Sequence, residues 1–240
     1  MDYRDLNKVT RRDSHGLGNI DDMLQKLGGA TFLSSLDLAA GYHQIRLTKE
    51  AAEKTAFRVG SGQLWEYTVA PFGLVNLPAQ FTRLMHSVLQ DALGVFALVY
   101  IDDILVYSHS FNEHIHHLRR VFQSLADANM SCSLPKSQLF RDRVKYLGHM
   151  AGAKGIWPDP AKVAAMTDMS PPTVNGKPDQ KKLQIVLGLW NDYRRYLQGY
   201  AKTVAPLAQL ARGSAGEVVS REWEGCSPTS LRRHQRVAGY

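Results

Sequence analysis

At 240 residues, with 44% apolar and 21% charged side chains, the chain has the length and composition of a globular protein with a sizeable core. Its net charge of +7 and isoelectric point near 9.4 favour a polyanionic partner, nucleic acid before membrane, since no basic amphipathic segment stands out. Two cysteines, Cys132 and Cys226, exclude a disulfide framework and a cysteine-rich zinc cluster, and no run approaches the roughly 18 apolar residues of a membrane span. The polar start Met1-Asp2-Tyr3-Arg4-Asp5 is not the pattern of a signal peptide, so an intracellular location with no membrane attachment is expected.

In chain order, residues 20–27 read as a short helix, with Ile20, Met23, Leu24 and Leu27 on one face and Gly28-Gly29 as its stop. Strands are expected over Thr31–Leu38 and Tyr42–Leu47, joined at Ala39-Ala40-Gly41. A hairpin is expected over Thr55–Val59 and Leu64–Val69 around Gly60-Ser61-Gly62. Pro78 opens a helix whose apolar residues Phe81, Leu84, Met85, Val88 and Leu89 recur at helical spacing. Next comes Val99-Tyr100-Ile101-Asp102-Asp103-Ile104-Leu105-Val106-Tyr107-Ser108, two β-branched and aromatic runs meeting at a pair of carboxylates, which reads as a tight hairpin.

Ser110 and Glu113 form a capping box for a helix carrying Ile115, Leu118, Phe122 and Leu125, and short strands and turns fill residues 131–157. Beyond Pro158 only helices are expected, Pro160–Met169, Lys181–Leu197 and Ala201–Ala211, with a polar joint at Val174–Asp179. The change of texture marks a boundary near residue 157 between an α+β domain and a small helical one. Residues 213–240 have few aliphatics, no periodicity and a basic end, and read as disordered.

The Asp102-Asp103 pair alone fits two readings. One is an ordinary hairpin with a polar turn. The other is a pair of like charges held together for a divalent cation, since hard cations take carboxylate oxygens and relieve their repulsion. Asp37, at the end of the apolar run Phe32-Leu33-Ser34-Ser35-Leu36, is a third acidic candidate. Three carboxylates on neighbouring strands would suit two Mg²⁺ ions about 3.5–4 Å apart, able to activate a hydroxyl and stabilise a leaving pyrophosphate. His109, His114, His116 and His117 invite a zinc reading, but no cysteine or paired carboxylate lies at zinc-like spacing.

Seven blocks, in order, decide between these readings. They are Asp2-Tyr3-Arg4-Asp5-Leu6-Asn7; Leu36-Asp37-Leu38 with Gly41-Tyr42-His43-Gln44-Ile45; Lys54-Thr55-Ala56-Phe57; Pro71-Phe72-Gly73-Leu74 with Asn76 and Pro78-Ala79; Tyr100-Ile101-Asp102-Asp103; Tyr146-Leu147-Gly148-His149; and Leu187-Gly188-Leu189 followed by Tyr193-Arg194-Arg195. Together they resemble the reverse transcriptase region of a gypsy-type retrotransposon Pol polyprotein, from about residue 2 to residue 211.

The resemblance implies an α+β fold: a right-hand polymerase palm with partial fingers over 1–157 and a small helical thumb over 158–212. It implies an RNA-directed DNA polymerase that extends a primer on an RNA or DNA template from deoxynucleoside triphosphates, with Asp37, Asp102 and Asp103 holding two Mg²⁺, or Mn²⁺, ions. Tyr42 matches the residue under the incoming sugar, where an aromatic ring excludes a 2′-hydroxyl. Phe72 matches a residue lining the nucleotide pocket, and Lys136 falls where a lysine often stands near the triphosphate, although a solvated surface lysine reads the same way. Tyr146-Leu147-Gly148-His149 resembles the primer grip, and Arg4, Asn7, Tyr100, Leu147 and Gly148 match template or primer contacts. The family's histidines after the aspartate hairpin lie on a helix surface.

Three departures qualify the match. Basic residues that clamp the triphosphate, expected upstream of Asp2, are missing from the sequence. His15-Gly16-Leu17-Gly18 replaces a proline-containing segment. After residue 211 the chain stops resembling the connection to an RNase H domain, which suggests an out-of-frame tail; an in-frame RNase H coding region directly downstream in the transcript would refute that. A catalytically dead remnant that only binds nucleic acid, and a basic RNA-binding protein with incidental carboxylates, are the competing readings.

Overall fold

The computed structural model describes residues 1–15, 20–60, 62–170, 172–174, 177–197 and 199–212. Gly16-Leu17-Gly18 and the 213–240 tail lie outside the described residues. The chain forms two compact units, one over Met1–Ile156 and one beginning at Trp157.

In the first unit, short helices α1 (Arg4–Val9) and α2 (Ile20–Gln25) precede strand β1 (Phe32–Asp37). A tight turn leads to helix α3 (Lys49–Glu53), a small hairpin of β2 (Phe57–Val59) and β3 (Gln63–Trp65), and the longer helix α4 (Leu77–Val88). Strands β4 (Ala97–Tyr100) and β5 (Asp103–Ser108) follow, then helix α5 (Phe111–Asp127) and four short strands: β6 (Gln138–Arg141), β7 (Arg143–Tyr146), β8 (His149–Gly152) and β9 (Gly155–Pro158). The central sheet has the order β4-β5-β1-β6, and β1 runs antiparallel to β5 with Leu33 opposite Tyr107, Leu36 opposite Ile104 and Asp37 opposite Asp103.

Successive strand side chains point to opposite faces, and both faces are covered. On one, Leu36, Val99, Ile104 and Val106 pack with Phe81 and Met85 of α4 and with Leu118, Val121 and Leu125 of α5. On the other, Leu33, Leu98, Leu105 and Tyr107 pack with Val144, Tyr146 and Ala151 of the β7–β8 hairpin. Double burial is why β5 reads as an unbroken apolar run. The Ser110–Glu113 capping box forms: Ser110 Oγ accepts the Glu113 N–H (3.4 Å), and Glu113 Oε2 accepts the Ser110 N–H (3.3 Å) and the His109 N–H (2.9 Å).

Sequence expectations are overturned in both units. Tyr42–Leu47 is not a strand: Gly41–Gln44 is a 3₁₀ turn entered through Ala40 in the left-handed region (φ 53°), and only Arg46 pairs, with Val69. The Gln44 side chain bonds backbone nearby and across the fold, a local alternative to a sheet ladder. The second unit is not purely helical. Helix α6 (Pro160–Thr167), capped by Asp159, is followed by a two-residue hairpin of β10 (Thr173–Val174) and β11 (Lys177–Pro178). The dipeptide Asn175-Gly176 between them is a strong hairpin signal that the joint's polarity obscures.

Helices α7 (Gln180–Asn191) and α8 (Tyr200–Ala211) complete the second unit around Met166, Leu183, Val186, Trp190, Leu207 and Leu210. No helix among the described residues is long and apolar enough to cross a membrane.

Candidate active site

The three acidic candidates meet at one end of the central sheet. Asp37 closes β1, Asp103 opens β5, and the two are direct partners in the antiparallel ladder, a relation that sets Cα atoms about 4.5–5.5 Å apart. By strand alternation both side chains lie on the face of Leu33 and Leu105. Asp102 sits in the turn between β4 and β5, beside Ile101 in the left-handed region (φ 55°), a costly conformation for a β-branched residue.

Burial, then the negative charges of Asp102 and Asp37, push the Asp103 carboxyl above its ordinary value. Lys136 pairs with this group, its Nζ lying 3.7 Å from Asp37 Oδ1 on a largely exposed side chain. Among the described residues, no three His, Cys, Asp or Glu side chains are close enough to hold a metal ion as they stand. The donor set nevertheless fits a hard divalent cation: its side-chain donors are all carboxylate oxygens, and the charges of Asp102 and Asp37 add to burial in raising the proton affinity of Asp103.

Next to the carboxylates is an aromatic wall. Tyr42 meets Phe81 edge to face (5.3 Å, 81°), which ties it to the buried core, and meets Phe72 in the same manner (5.3 Å, 61°). Phe72 is 62% exposed, and His43 stands against it on a further edge (5.3 Å). Burial, with the charge of Asp102 behind it, raises the Tyr42 hydroxyl pKa. Gly41 makes the approach possible: a Cβ there would lie 3.3 Å from the Asp102 Cβ.

The chain matches the reverse transcriptase (RNA-dependent DNA polymerase) family model over residues 1–151. It belongs to the reverse transcriptase family. It is 39% identical over 212 residues to the retrovirus-related Pol polyprotein from transposon 297 of Drosophila melanogaster, covering 88% of this chain and 20% of that protein. To the corresponding polyprotein from transposon gypsy of the same organism it is 34% identical over 238 residues, covering 99% and 22%. The chain thus spans about a fifth of the length of these relatives. A foamy viral protease-reverse transcriptase in complex with double-stranded DNA superimposes with a TM-score of 0.85 at 27% identity, over 97% of this chain and 40% of that one. This is a reverse transcriptase domain of the retrotransposon Pol type, with the α+β fold of those enzymes.

Within the reverse transcriptase domain, the remaining sequence-predicted residues divide. Tyr100 is the ladder partner of Asp103 and joins the aspartate end. Leu147 and Gly148 form the two-residue turn between β7 and β8, both with positive φ (51° and 79°). A leucine in that position is strained where asparagine or glycine would be relaxed. Their strand-mate Tyr146 comes close enough to Asp103 for its charge to reinforce burial in raising the tyrosine pKa, and the buried Tyr146 hydroxyl has no hydrogen-bond partner among the described residues. In the sequence Tyr146 belongs to the motif that resembles the primer grip, and no local signal marks its side chain as a neighbour of Asp103.

Asn7 and Arg4 stand apart from the carboxylates. The Asn7 amide donates to the Gly73 carbonyl (2.7 Å) and accepts the Val75 N–H (2.9 Å), so it holds the loop that presents Phe72. Asn76 does the converse, donating to the Arg11 carbonyl (2.8 Å) and accepting the Asp13 N–H (2.9 Å). Arg4 turns its exposed guanidinium to Asp2. A cavity of about 430 Å³ between α1, α3 and α4, lined by Leu6, Ile45, Ala51, Leu74 and Gln80 among others, is bordered by none of the aspartates.

His109 and His116 are exposed as expected, but the other two histidines depart from expectation. His114 is fully buried behind the sheet rather than on a helix surface, with Nε2 2.7 Å from Ser34 Oγ and Nδ1 2.7 Å from Ser108 Oγ. His117 Nδ1 shares Ser108 Oγ at 2.8 Å, and its ring stacks on Phe96 (4.0 Å, 8°).

Proposed function

We propose that this domain is an RNA-directed DNA polymerase that adds deoxynucleotides to a primer by two-metal phosphoryl transfer. The observation that carries the reading is the ladder pairing of Asp37 with Asp103, with Asp102 in the adjoining turn and Tyr42 against it. Asp37, Asp102 and Asp103 would hold two divalent ions, which when bound lower the pKa of the primer 3′-hydroxyl and neutralise charge on the departing pyrophosphate.

The chain's own residues supply positioning. Tyr42, fixed by Phe81, would close the space beneath the nucleotide sugar and exclude a 2′-hydroxyl, with Phe72 as the exposed wall of the same pocket. Lys136 would meet a triphosphate oxygen once cations occupy the carboxylates that now attract it. The Leu147-Gly148 turn would carry the primer end, and orientation of that end supplies much of the rate in such reactions. Residues 1–157 would act as palm and partial fingers and residues 158–212 as thumb. The solved foamy viral reverse transcriptases hold double-stranded DNA or an RNA/DNA hybrid, and the net charge of +7 suits the same class of partner.

The test is Mg²⁺-dependent extension of oligo(dT) on poly(rA) by the full chain and by its Asp102→Asn/Asp103→Asn variant. Extension by the former alone is the expected result. Failure of both, in samples shown to be folded, would replace the polymerase with a remnant that binds nucleic acid without copying it.

A further inference from the structure

We propose that Gln44 is a positioning residue for sugar selection: its side-chain amide clamps the Tyr42 turn to the strand-like segment at Ser131 and thereby sets where the Tyr42 ring stands. The inference rests on the polymerase reading above and assigns a control of its nucleotide pocket to a residue outside that pocket.

One amide makes three bonds to backbone. Gln44 Nε2 donates to the Ala39 carbonyl (2.6 Å) and to the Ser131 carbonyl (3.0 Å), while Gln44 Oε1 accepts the Ser131 N–H (2.8 Å). Against Ser131 the side chain thus takes the place of a ladder residue, using both its donor and its acceptor. The backbone continues the seam, with the Ala39 N–H donating to the Ser131 carbonyl (2.9 Å), a bridge between Leu38 and Cys132, and the Ser133 N–H donating to the Asp37 carbonyl (2.8 Å). Asp37, Tyr42 and the 131–133 segment are therefore one bonded assembly.

The turn needs such a hold. Ala40 is left-handed, at a cost an alanine carries and a glycine would not. Gly41 lies close against Asp102, where an added Cβ would come within 3.3 Å of the Asp102 Cβ, and Tyr42 follows directly, with Phe72 and Phe81 against its ring. A turn strained at one residue and closely packed at the next keeps its position only while something fixes its far end, and Gln44 is that end. Gln44 itself meets none of the aspartates or pocket aromatics through these bonds, so its effect reaches the nucleotide through Tyr42.

Replacing Gln44 by Glu keeps the shape and the Ser131 N–H acceptor but sets a carboxylate against two carbonyl oxygens. Gln44→Met keeps the length and removes every bond. Both variants, with Gln123→Glu on the exposed side of α5 as control, are compared with the parent chain for single dGTP and GTP insertion on a primed RNA template. Hydrogen exchange of the peptides covering 38–45 and 130–134 is followed alongside.

Expected in both Gln44 variants are faster exchange confined to those peptides, a raised KM for dGTP with a smaller change in kcat, and about a tenfold loss of discrimination against GTP, while the control matches the parent. Faster local exchange with discrimination unchanged would reduce Gln44 to a brace and overturn the proposal, as would unchanged exchange. A parent chain that does not extend at all, with the local exchange response present, would remove the polymerase reading and with it the role in sugar selection, leaving the clamp as architecture.

Discussion

The two ends of one strand pair hold their polar groups in opposite ways. At the far end, behind β1 and β5, His114 is buried with both ring nitrogens bonded to serine hydroxyls, Ser34 Oγ also accepts the Phe140 N–H, and Ser108 serves His117 as well. At the near end Asp37, Asp102 and Asp103 repel one another with one exposed lysine nearby. The same sheet is closed where it is only architecture and electrostatically incomplete where chemistry is proposed. That contrast is what a preorganised site predicts: the groups are held in a conformation they would not choose, by packing elsewhere.

The largest effect should come from removing one of the repelling charges. Asp103→Asn is expected to lower primer extension by at least about 10³-fold, the equivalent of several kcal/mol of charge stabilisation. The same variant should be more stable than the parent at pH 7. In the parent the folded-state pKa of Asp103 is raised, so ionisation of Asp103 disfavours the fold at neutral pH and has no effect once both folded and unfolded forms are protonated. Urea titrations should therefore show the gain at neutral pH and its disappearance below about pH 4. Mg²⁺ should stabilise the parent more than the variant; a variant less stable than the parent at pH 7 would break the contrast.

The closed end should respond to acid in the reverse sense. Burial, then the neighbouring His117, depress His114 from 6.5 to about 4, so its neutral form supports the fold above pH 6.5 and that support is lost as the pH falls from 6.5 towards 4. The loss amounts to about 3 kcal/mol by pH 4. His114→Gln, which hydrogen-bonds without titrating, should flatten the stability profile in that window; His117 is depressed as well, so a residual slope should remain. An unchanged slope would show that His114 is not held neutral. The smallest effect belongs to Lys136→Ala, because an ion pair with a lysine side chain 69% exposed should change unfolding free energy by less than about 1 kcal/mol.

What the sequence disclosed follows the range of each interaction. The apolar runs of β1, β4 and β5, the Ser110–Glu113 box and the Asp102 turn are local, and periodicity or spacing reveals them. The reach of Asn7 to the Gly73 carbonyl, of Gln44 to Ser131 and of His114 to Ser34 spans 66, 87 and 80 residues. A polar side chain bonded to distant backbone or hydroxyl leaves no periodic trace, so these residues look like surface. Gln44 even misdirects, since its turn sits inside a segment with the alternation of a strand. The convergence of the aspartates is legible only through the family blocks, because a spacing of 65 positions between Asp37 and Asp102 constrains nothing by itself.

The pairing of Asp37 with Asp103 ties the site to the fidelity of folding. In an antiparallel ladder a slip of one residue turns every side chain to the opposite face. Such a slip in β1 would carry Asp37 into the apolar layer of α4 and α5, and would swap Leu33 with Ser34 and Leu36 with Ser35 in cores built to the other arrangement. Misregistered molecules are thus rejected by burial before their chemistry is ever tested, and the population that survives as folded protein carries its carboxylates in alignment.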